Sequence, residues 1–240
     1  MKAILLDIEG TTTPVAFVFD VLFPYARSRL RKYLEQHAGR PDHERLIGQL
    51  RDEHDADRAA LHPVPPWFDH PERARIDSIA TFVEWLMDRD RKSTPLKDLQ
   101  GRIWKAGYRS GELQADVFDD VPAALERWTS RHLRVAIFSS GSVLAQQLLF
   151  KHTSAGDLTR FLECYFDTTS GAKTEPASYA RIATALDLPP ASMLFVSDTT
   201  RELDAARAAG CETRLSLRPG NASVSAGHGH QIIRTFTEIE

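Results

Sequence analysis

Cysteine is scarce in this 240-residue chain: Cys164 and Cys211 alone occur, with no metal-ligand spacing between them. That excludes a disulfide scaffold or a thiolate metal centre and predicts reduced, partly buried thiols of a cytoplasmic protein. No apolar run approaches the ~20 residues that span a bilayer. Met1-Lys2-Ala3-Ile4-Leu5-Leu6 is too short for a signal-peptide core and runs straight into acidic residues. Long basic tracts are also missing: 30 lysines and arginines are mixed with 33 aspartates and glutamates, for a formal charge of −3. Neither a membrane nor a nucleic acid is therefore an expected partner. Repeats and low-complexity segments are absent, apart from a small polar tail at 221–230. His228 and His230 in that tail could bind a metal, but a Gly/His/Ser loop of this kind is expected to be solvated.

What the chain does have is enough apolar material, 42% of its residues, to bury a sizeable core. Five short apolar runs, each bounded by polar or turn-forming residues, predict buried strands at 3–6, 135–138, 164–166, 193–196 and 213–217. Helical periodicity between the last four, at 142–151, 176–186 and 202–209 with Gly210 as the stop, gives a strand–helix alternation. The expected fold is therefore α/β: a Rossmann-like, mostly parallel sheet with helices on both faces. The long interval after the first strand breaks the rhythm. Residues 17–36, 44–61, 73–90 and 96–107 all read as helices, with a rigid turn at Pro63, Pro65, Pro66 and Pro71. This predicts a helical cap domain inserted after the first strand, 14–115, and a core domain made of 1–13 and 116–240.

Chemistry-bearing residues cluster where predicted strands end, the edge at which open α/β sheets hold their ligands. The first strand ends Leu6-Asp7-Ile8-Glu9-Gly10-Thr11. Strand alternation would send the two carboxylates to opposite faces, but Gly10 lets the chain turn at once and aim both into one crevice. One acid can then act as nucleophile and the other as proton donor; a strand-end acid pair that only caps a turn is the plain alternative. The second strand ends Phe138-Ser139-Ser140-Gly141-Ser142 and leads into a helix, a placement that suits a phosphate cradle, with at least one serine serving as an ordinary N-cap. Lys173, in Gly171-Ala172-Lys173-Thr174-Glu175-Pro176, precedes a Pro-started helix and could pair with both phosphate and nucleophile. The fourth strand ends Val196-Ser197-Asp198 and continues to Glu202 and Asp204, supplying hard oxygen ligands suited to Mg²⁺.

In this order the four sites resemble the motifs of the haloacid-dehalogenase-like hydrolase superfamily. The segments Asp7 to Pro14, Phe17-Val18 and Asp20 to Tyr25 further resemble the enolase-phosphatase family, also called acireductone synthase, in which Glu replaces the superfamily's second Asp. Asp90 to Lys97, Leu99-Gln100-Gly101, Ser139 to Val143 and Arg218-Pro219-Gly220-Asn221 extend the similarity over nearly the whole chain. The resemblance implies that Asp7 is nucleophile and metal ligand, that Asp198 is the second carboxylate on Mg²⁺, and that Glu9 meets the metal through its main-chain carbonyl while its side chain handles protons. It implies that Ser139, Ser140 and Lys173 hold the phosphoryl group and that Glu202 orients metal-bound water. Ser197 and Thr199 stand where Thr and Val are expected around Asp198, and Pro176 opens the helix after Lys173. The implied substrate is a small phosphorylated 2,3-diketone of methionine salvage, and the implied assembly is a monomer.

Rival readings are a sugar-phosphate or phosphoglycolate-type phosphatase, which would share every catalytic residue but Glu9, and a metal-free dehalogenase, which would have no use for Asp198. A non-catalytic binding module would tolerate loss of at least one motif, and all four are present. Phe17, Phe23, Trp104 and Tyr108 are candidates for the methylthio end, although aromatics on amphipathic helices more often belong to the core.

Overall fold

The computed structural model describes residues 1–225 and 227–240. Six strands form one parallel sheet: β1 Ala3–Leu6, β2 Arg134–Phe138, β3 Cys164–Phe166, β4 Met193–Ser197, β5 Glu212–Ser216 and β6 Gln231–Ile233, in the order β3-β2-β1-β4-β5-β6. The expected α/β parallel-sheet class holds. Five of the strands coincide with the apolar runs. β6 was not expected, because its three residues follow a polar tail and are too few to show a period.

The chain divides into two compact units, Met1–Val21 with Gly111–Glu240, and Leu22–Ser110. The first carries the sheet, and residues 14–21 and 111–115 group with it. Four of its connections are helical: α5 Val121–Ser130, α6 Val143–Lys151, α7 Pro176–Ala185 and α8 Thr200–Ala208. The last three match the predicted periodicity; α5, with its short amphipathic pattern before β2, was not anticipated. β1 is buried at all four positions, as a central parallel strand covered on both faces must be. An apolar cluster on one side of the sheet joins Leu5, Phe138 and Phe195 to Tyr179 and Ile182 of α7 and to Leu203 and Ala206 of α8. Tyr179 is its hub, with ring centroids 5.6 Å from Phe138 and 5.0 Å from Phe195.

The second unit consists of α1 Phe23–His37, α2 Pro41–Ala59, α3 Glu72–Met87 and α4 Thr94–Ser110. The helix expected to begin at 17 opens instead as a wider π-helical turn, Phe17–Leu22, before α1. Leu30, Leu34, Leu46, Leu50, Phe82, Val83, Leu86, Leu99 and Ile103 pack its interior. Close approach of α1 and α4 depends on Gly107, where a Cβ would stand 2.6 Å from the Tyr25 hydroxyl.

Candidate active site

The strand order reverses between β1 and β4, since β2 and β3 extend one way and β4 to β6 the other. Ligands of open α/β sheets bind beyond the carboxyl ends of strands at such a switch point. Register then dictates which side chains meet there. Leu6 pairs with Ile137 on one side and Val196 on the other, so Asp7 is level with Phe138 and Ser197. The Asp7 N–H donates to the Val196 carbonyl at 3.0 Å, the last strand-like bond before the chain turns.

That turn is tight. The Gly10 N–H donates to the Thr13 carbonyl at 2.8 Å, and the N–H groups of Thr11, Thr12 and Thr13 all point at the Ile8 carbonyl, 2.9–3.1 Å away. Gly10 has φ +66°, in the left-handed region that favours glycine. Space demands glycine as well, because a Cβ there would lie 2.3 Å from Asp198 Oδ2. Glu9 is half-buried within the turn, two residues past Asp7, with its main chain bridged to Thr13.

Asp7 is 4% exposed. Its Oδ1 accepts from the Ile8 N–H at 2.7 Å and lies 2.7 Å from Lys173 Nζ. Lys173 Nζ also lies 2.6 Å from Glu202 Oε2, so one ammonium serves two carboxylates. Burial works to lower the Lys173 pKa, but Asp7 and Glu202 outweigh it and hold the ammonium above its ordinary value. The Ser197 hydroxyl lies 3.1 Å from Asp7 Oδ2 and 2.9 Å from Glu202 Oε2, while accepting the Thr199 N–H at 3.1 Å. A hydroxyl has one hydrogen, so Ser197 can donate to only one of these acids at a time. Asp198 accepts from the Thr199 hydroxyl at 3.0 Å. Burial, then the Asp7 charge, push Asp198 up to about 6, and the same two causes push Glu202 up to about 7. Such a cluster, with carboxylates in excess of cations, is short of positive charge.

Loop architecture explains how these groups are held. Lys173 lies in a loop, yet its carbonyl accepts from the buried Tyr179 hydroxyl at 2.7 Å, while the Ala172 carbonyl accepts from Ser178 at 2.7 Å. After β2, Ser139 is buried and its hydroxyl accepts the Gly141 N–H at 3.1 Å; Ser140 is half-buried beside it. Ser142 is the N-cap of α6, accepting from the Ala145 N–H at 3.3 Å. Gln146 closes this loop by donating to the Gly141 and Phe166 carbonyls at 2.8 and 2.9 Å. The structure thus joins Asp7, Lys173, Glu202, Ser197 and Asp198. Ser197, seen in the sequence only as a departure, and Tyr179 were missed as site-building residues. A serine ending an apolar strand was the available signal for the first; the second gave none.

Among the other candidates, Phe17, Trp104 and Tyr108 are buried, and the Trp104 indole N–H donates to the Leu22 carbonyl at 2.9 Å with its ring 6.2 Å from Phe23. His230 is not solvated, contrary to expectation: its ring is buried between the Thr213 hydroxyl at 2.8 Å and Asp204 at 3.1 Å, and its backbone N–H donates to His228 Nδ1. Thr213 of β5 and Asp204 of α8 thus flank the ring. Cys164 and Cys211 are both free.

Residues 1–210 match the family model "haloacid dehalogenase-like hydrolase". Enolase-phosphatase E1 of Synechococcus elongatus is 53% identical over 241 residues, covering 100% of this chain and 98% of the relative. A protein of Zea mays named as a probable bifunctional methylthioribulose-1-phosphate dehydratase/enolase-phosphatase E1 is 45% identical over 99% of this chain, which spans 47% of that longer protein. Among solved structures, the UTR4 protein of Saccharomyces cerevisiae superposes with a TM-score of 0.79 at 34% identity, covering 98% of this chain and 97% of that one.

Proposed function

Because the chain belongs to the enolase-phosphatase E1 family of the haloacid dehalogenase-like hydrolases, we propose that it enolises 5-(methylthio)-2,3-dioxopentyl phosphate and then removes the phosphate. The product is the acireductone 1,2-dihydroxy-5-(methylthio)pent-1-en-3-one, and the pathway is methionine salvage. The observation that carries this reading is the buried junction in which Lys173 holds both Asp7 and Glu202 at the switch point of the sheet.

In the phosphatase step an Asp7 carboxylate oxygen attacks phosphorus in line. An oxygen–phosphorus bond forms at Asp7 as the ester oxygen–phosphorus bond breaks, its electron pair leaving with the enol oxygen, which takes up a proton. Water then hydrolyses the aspartyl phosphate, releasing inorganic phosphate and restoring Asp7. Lys173 offsets charge on the nucleophile and the transferring group, and Ser139 and Ser140 hold the phosphoryl oxygens. Glu9 moves the proton in the enolisation.

The residues fit magnesium. Asp7, Asp198 and the Glu9 main-chain carbonyl would hold the ion, offering two carboxylates and one neutral oxygen. Mg²⁺ prefers few protein ligands with its remaining positions given to water and phosphate. The raised pKa of Asp198, from burial and the neighbouring Asp7 charge, marks a place where a cation is favoured. When bound there, magnesium supplies positive charge against the phosphate dianion and acidifies the proton beside a carbonyl. We take the protein to act as a cytoplasmic monomer on a small phosphorylated metabolite, with no membrane or nucleic-acid partner; its two free cysteines fit that setting.

The test follows enol absorbance and phosphate release separately, with the diketone phosphate and Mg²⁺. Glu9→Asp should slow enolisation more than it slows hydrolysis of a simple phosphate ester, within the ~10² to 10⁴-fold range of general acid–base catalysis. Equal slowing of both would remove Glu9 as the proton carrier. Phosphate release without any enol would reduce the protein to a plain phosphatase.

A further inference from the structure

Asn221 lies beside the Gly10 turn, and none of the roles above uses it. Its amide nitrogen donates to the Gly10 carbonyl at 2.9 Å and to the Ser216 carbonyl at 3.1 Å, employing both N–H groups. Those bonds set the orientation of the side chain, since the flipped amide would aim an oxygen at two carbonyl oxygens. The amide oxygen is left on the opposite side, buried and with no hydrogen-bond donor among the described residues.

Gly10 reveals what that oxygen faces. A Cβ on Gly10 would lie 2.8 Å from Asn221 Oδ1 and 2.3 Å from Asp198 Oδ2, so both oxygens converge on the space over one glycine. Two acceptors so placed repel each other unless a shared donor or a cation joins them, and buried acceptors are nearly always satisfied. A hydrated divalent cation supplies both at once: charge for the carboxylate and polarised water hydrogens for the amide.

We infer that Asn221 is a positioning residue of the cation site, its amide oxygen accepting a hydrogen bond from the hydrated cation that Asp198 holds while its amide nitrogen fixes the Gly10 turn that follows Asp7. This rests on the magnesium reading given above. It assigns a task to the 218–221 segment and explains why the space over Gly10 must stay empty of carbon. Partners of this kind, lying just outside the ligands themselves, change metal affinity by about 10- to 100-fold when removed.

The experiment measures Mg²⁺ affinity without turnover, by calorimetric titration of the wild type, Asn221→Ala and Asp198→Ala, with circular dichroism to establish that each is folded. Asn221→Ala should weaken Mg²⁺ by about 10- to 100-fold, and Asp198→Ala should abolish binding. Because Asn221 also ties two carbonyls, its loss could unfold the turn. The intact protein therefore supplies a second readout, the side-chain amide resonances of Asn221 in a nitrogen-15 NMR titration with Mg²⁺. A shift that saturates with the calorimetric affinity supports the assignment. Unchanged affinity in a folded Asn221→Ala protein, or Asn221 resonances indifferent to bound Mg²⁺, overturns it while leaving the magnesium reading intact. A wild type that binds no Mg²⁺ overturns both.

Discussion

Lys173→Met is the perturbation that most directly tests the physics of the site. The lysine is 10% exposed at the side chain and its two partners 6% and 14%, with contacts of 2.7 and 2.6 Å, so solvent screens these interactions little. Removing one member of a buried ion pair costs about 3–5 kcal/mol, because the remaining charge loses its compensation. Here two carboxylates are orphaned at once, and they face each other across a Ser197 hydroxyl that has one hydrogen for both. Glu202, already pushed up to about 7, can take up a proton when the lysine is lost, so the cost should stay within that range rather than double. The same geometry predicts a rescue. In Lys173→Met/Glu202→Gln one of the orphaned charges is gone and the amide can donate to its neighbours, so the double variant should be more stable than Lys173→Met alone by about 1 kcal/mol or more, within the usual span of coupling energies. Urea unfolding at neutral pH, without added metal, gives all four corners of the cycle from midpoints and slopes. An unchanged midpoint for Lys173→Met, or a double variant destabilised by the sum of its singles, would refute the view of Lys173 as the counter-charge shared by this pair.

Asp7→Asn keeps the shape of the nucleophile but not its charge, so phosphate release should fall by several orders of magnitude in a protein that still folds; near-normal turnover would sink the covalent mechanism. Tyr179→Phe removes the hydroxyl that holds the Lys173 carbonyl at 2.7 Å while keeping the ring in the core. It should cost about 1 kcal/mol in stability and lower kcat through a less ordered lysine; a variant with wild-type kcat would show the bond to be only structural. His43 is buried in the helical unit, and burial, opposed by Glu44, holds its pKa below the ordinary value. The unfolded chain therefore binds a proton that the folded one does not, and stability should decline as pH falls from the ordinary histidine range toward the depressed folded value, by at most about 1.4 kcal/mol per pH unit for one proton. His43→Gln should flatten that slope in urea unfolding measured across pH; an identical slope would place the responsible proton elsewhere.

Much of the site was legible because its residues sit at places that local sequence marks. Asp7, Ser139 and Asp198 follow apolar runs that can only be buried strands, and parallel strands bring their carboxyl ends to one edge whatever the packing details. Lys173 was legible as a loop cation before a proline-started helix. Its anchoring was not, because the Tyr179 hydroxyl and the Lys173 carbonyl meet through a loop conformation that no periodicity encodes. Ser197 likewise acquires its role only when β4 pairs with β1 and sets it level with Asp7. Among the elements, β6 escaped notice because it adjoins a polar tail, whereas α5 has the same ten-residue length as the predicted α7 and its amphipathic pattern was simply passed over. The solvated reading of His230 failed for a related reason: composition describes the tail, but burial is decided by β5 and α8, which supply Thr213 and Asp204.

The central position of β1 governs how this protein can be made. Its partners on the two sides begin at Arg134 and Met193, so β1 must wait for the whole of Leu22–Ser110 to be made before it finds either neighbour. Pairings this distant in sequence are slow, since loop closure must precede any gain from contact. During synthesis the stretch Leu22–Ser110 is complete before β2 exists, and it can bury its own leucines and phenylalanines while the nascent sheet waits. Ala3-Ile4-Leu5-Leu6 meanwhile has both edges open, a short apolar strand of the kind that recruits other chains. Chaperone dependence and inclusion-body formation on rapid expression should therefore respond to substitutions in these four residues far more than to changes anywhere on the helical unit's surface.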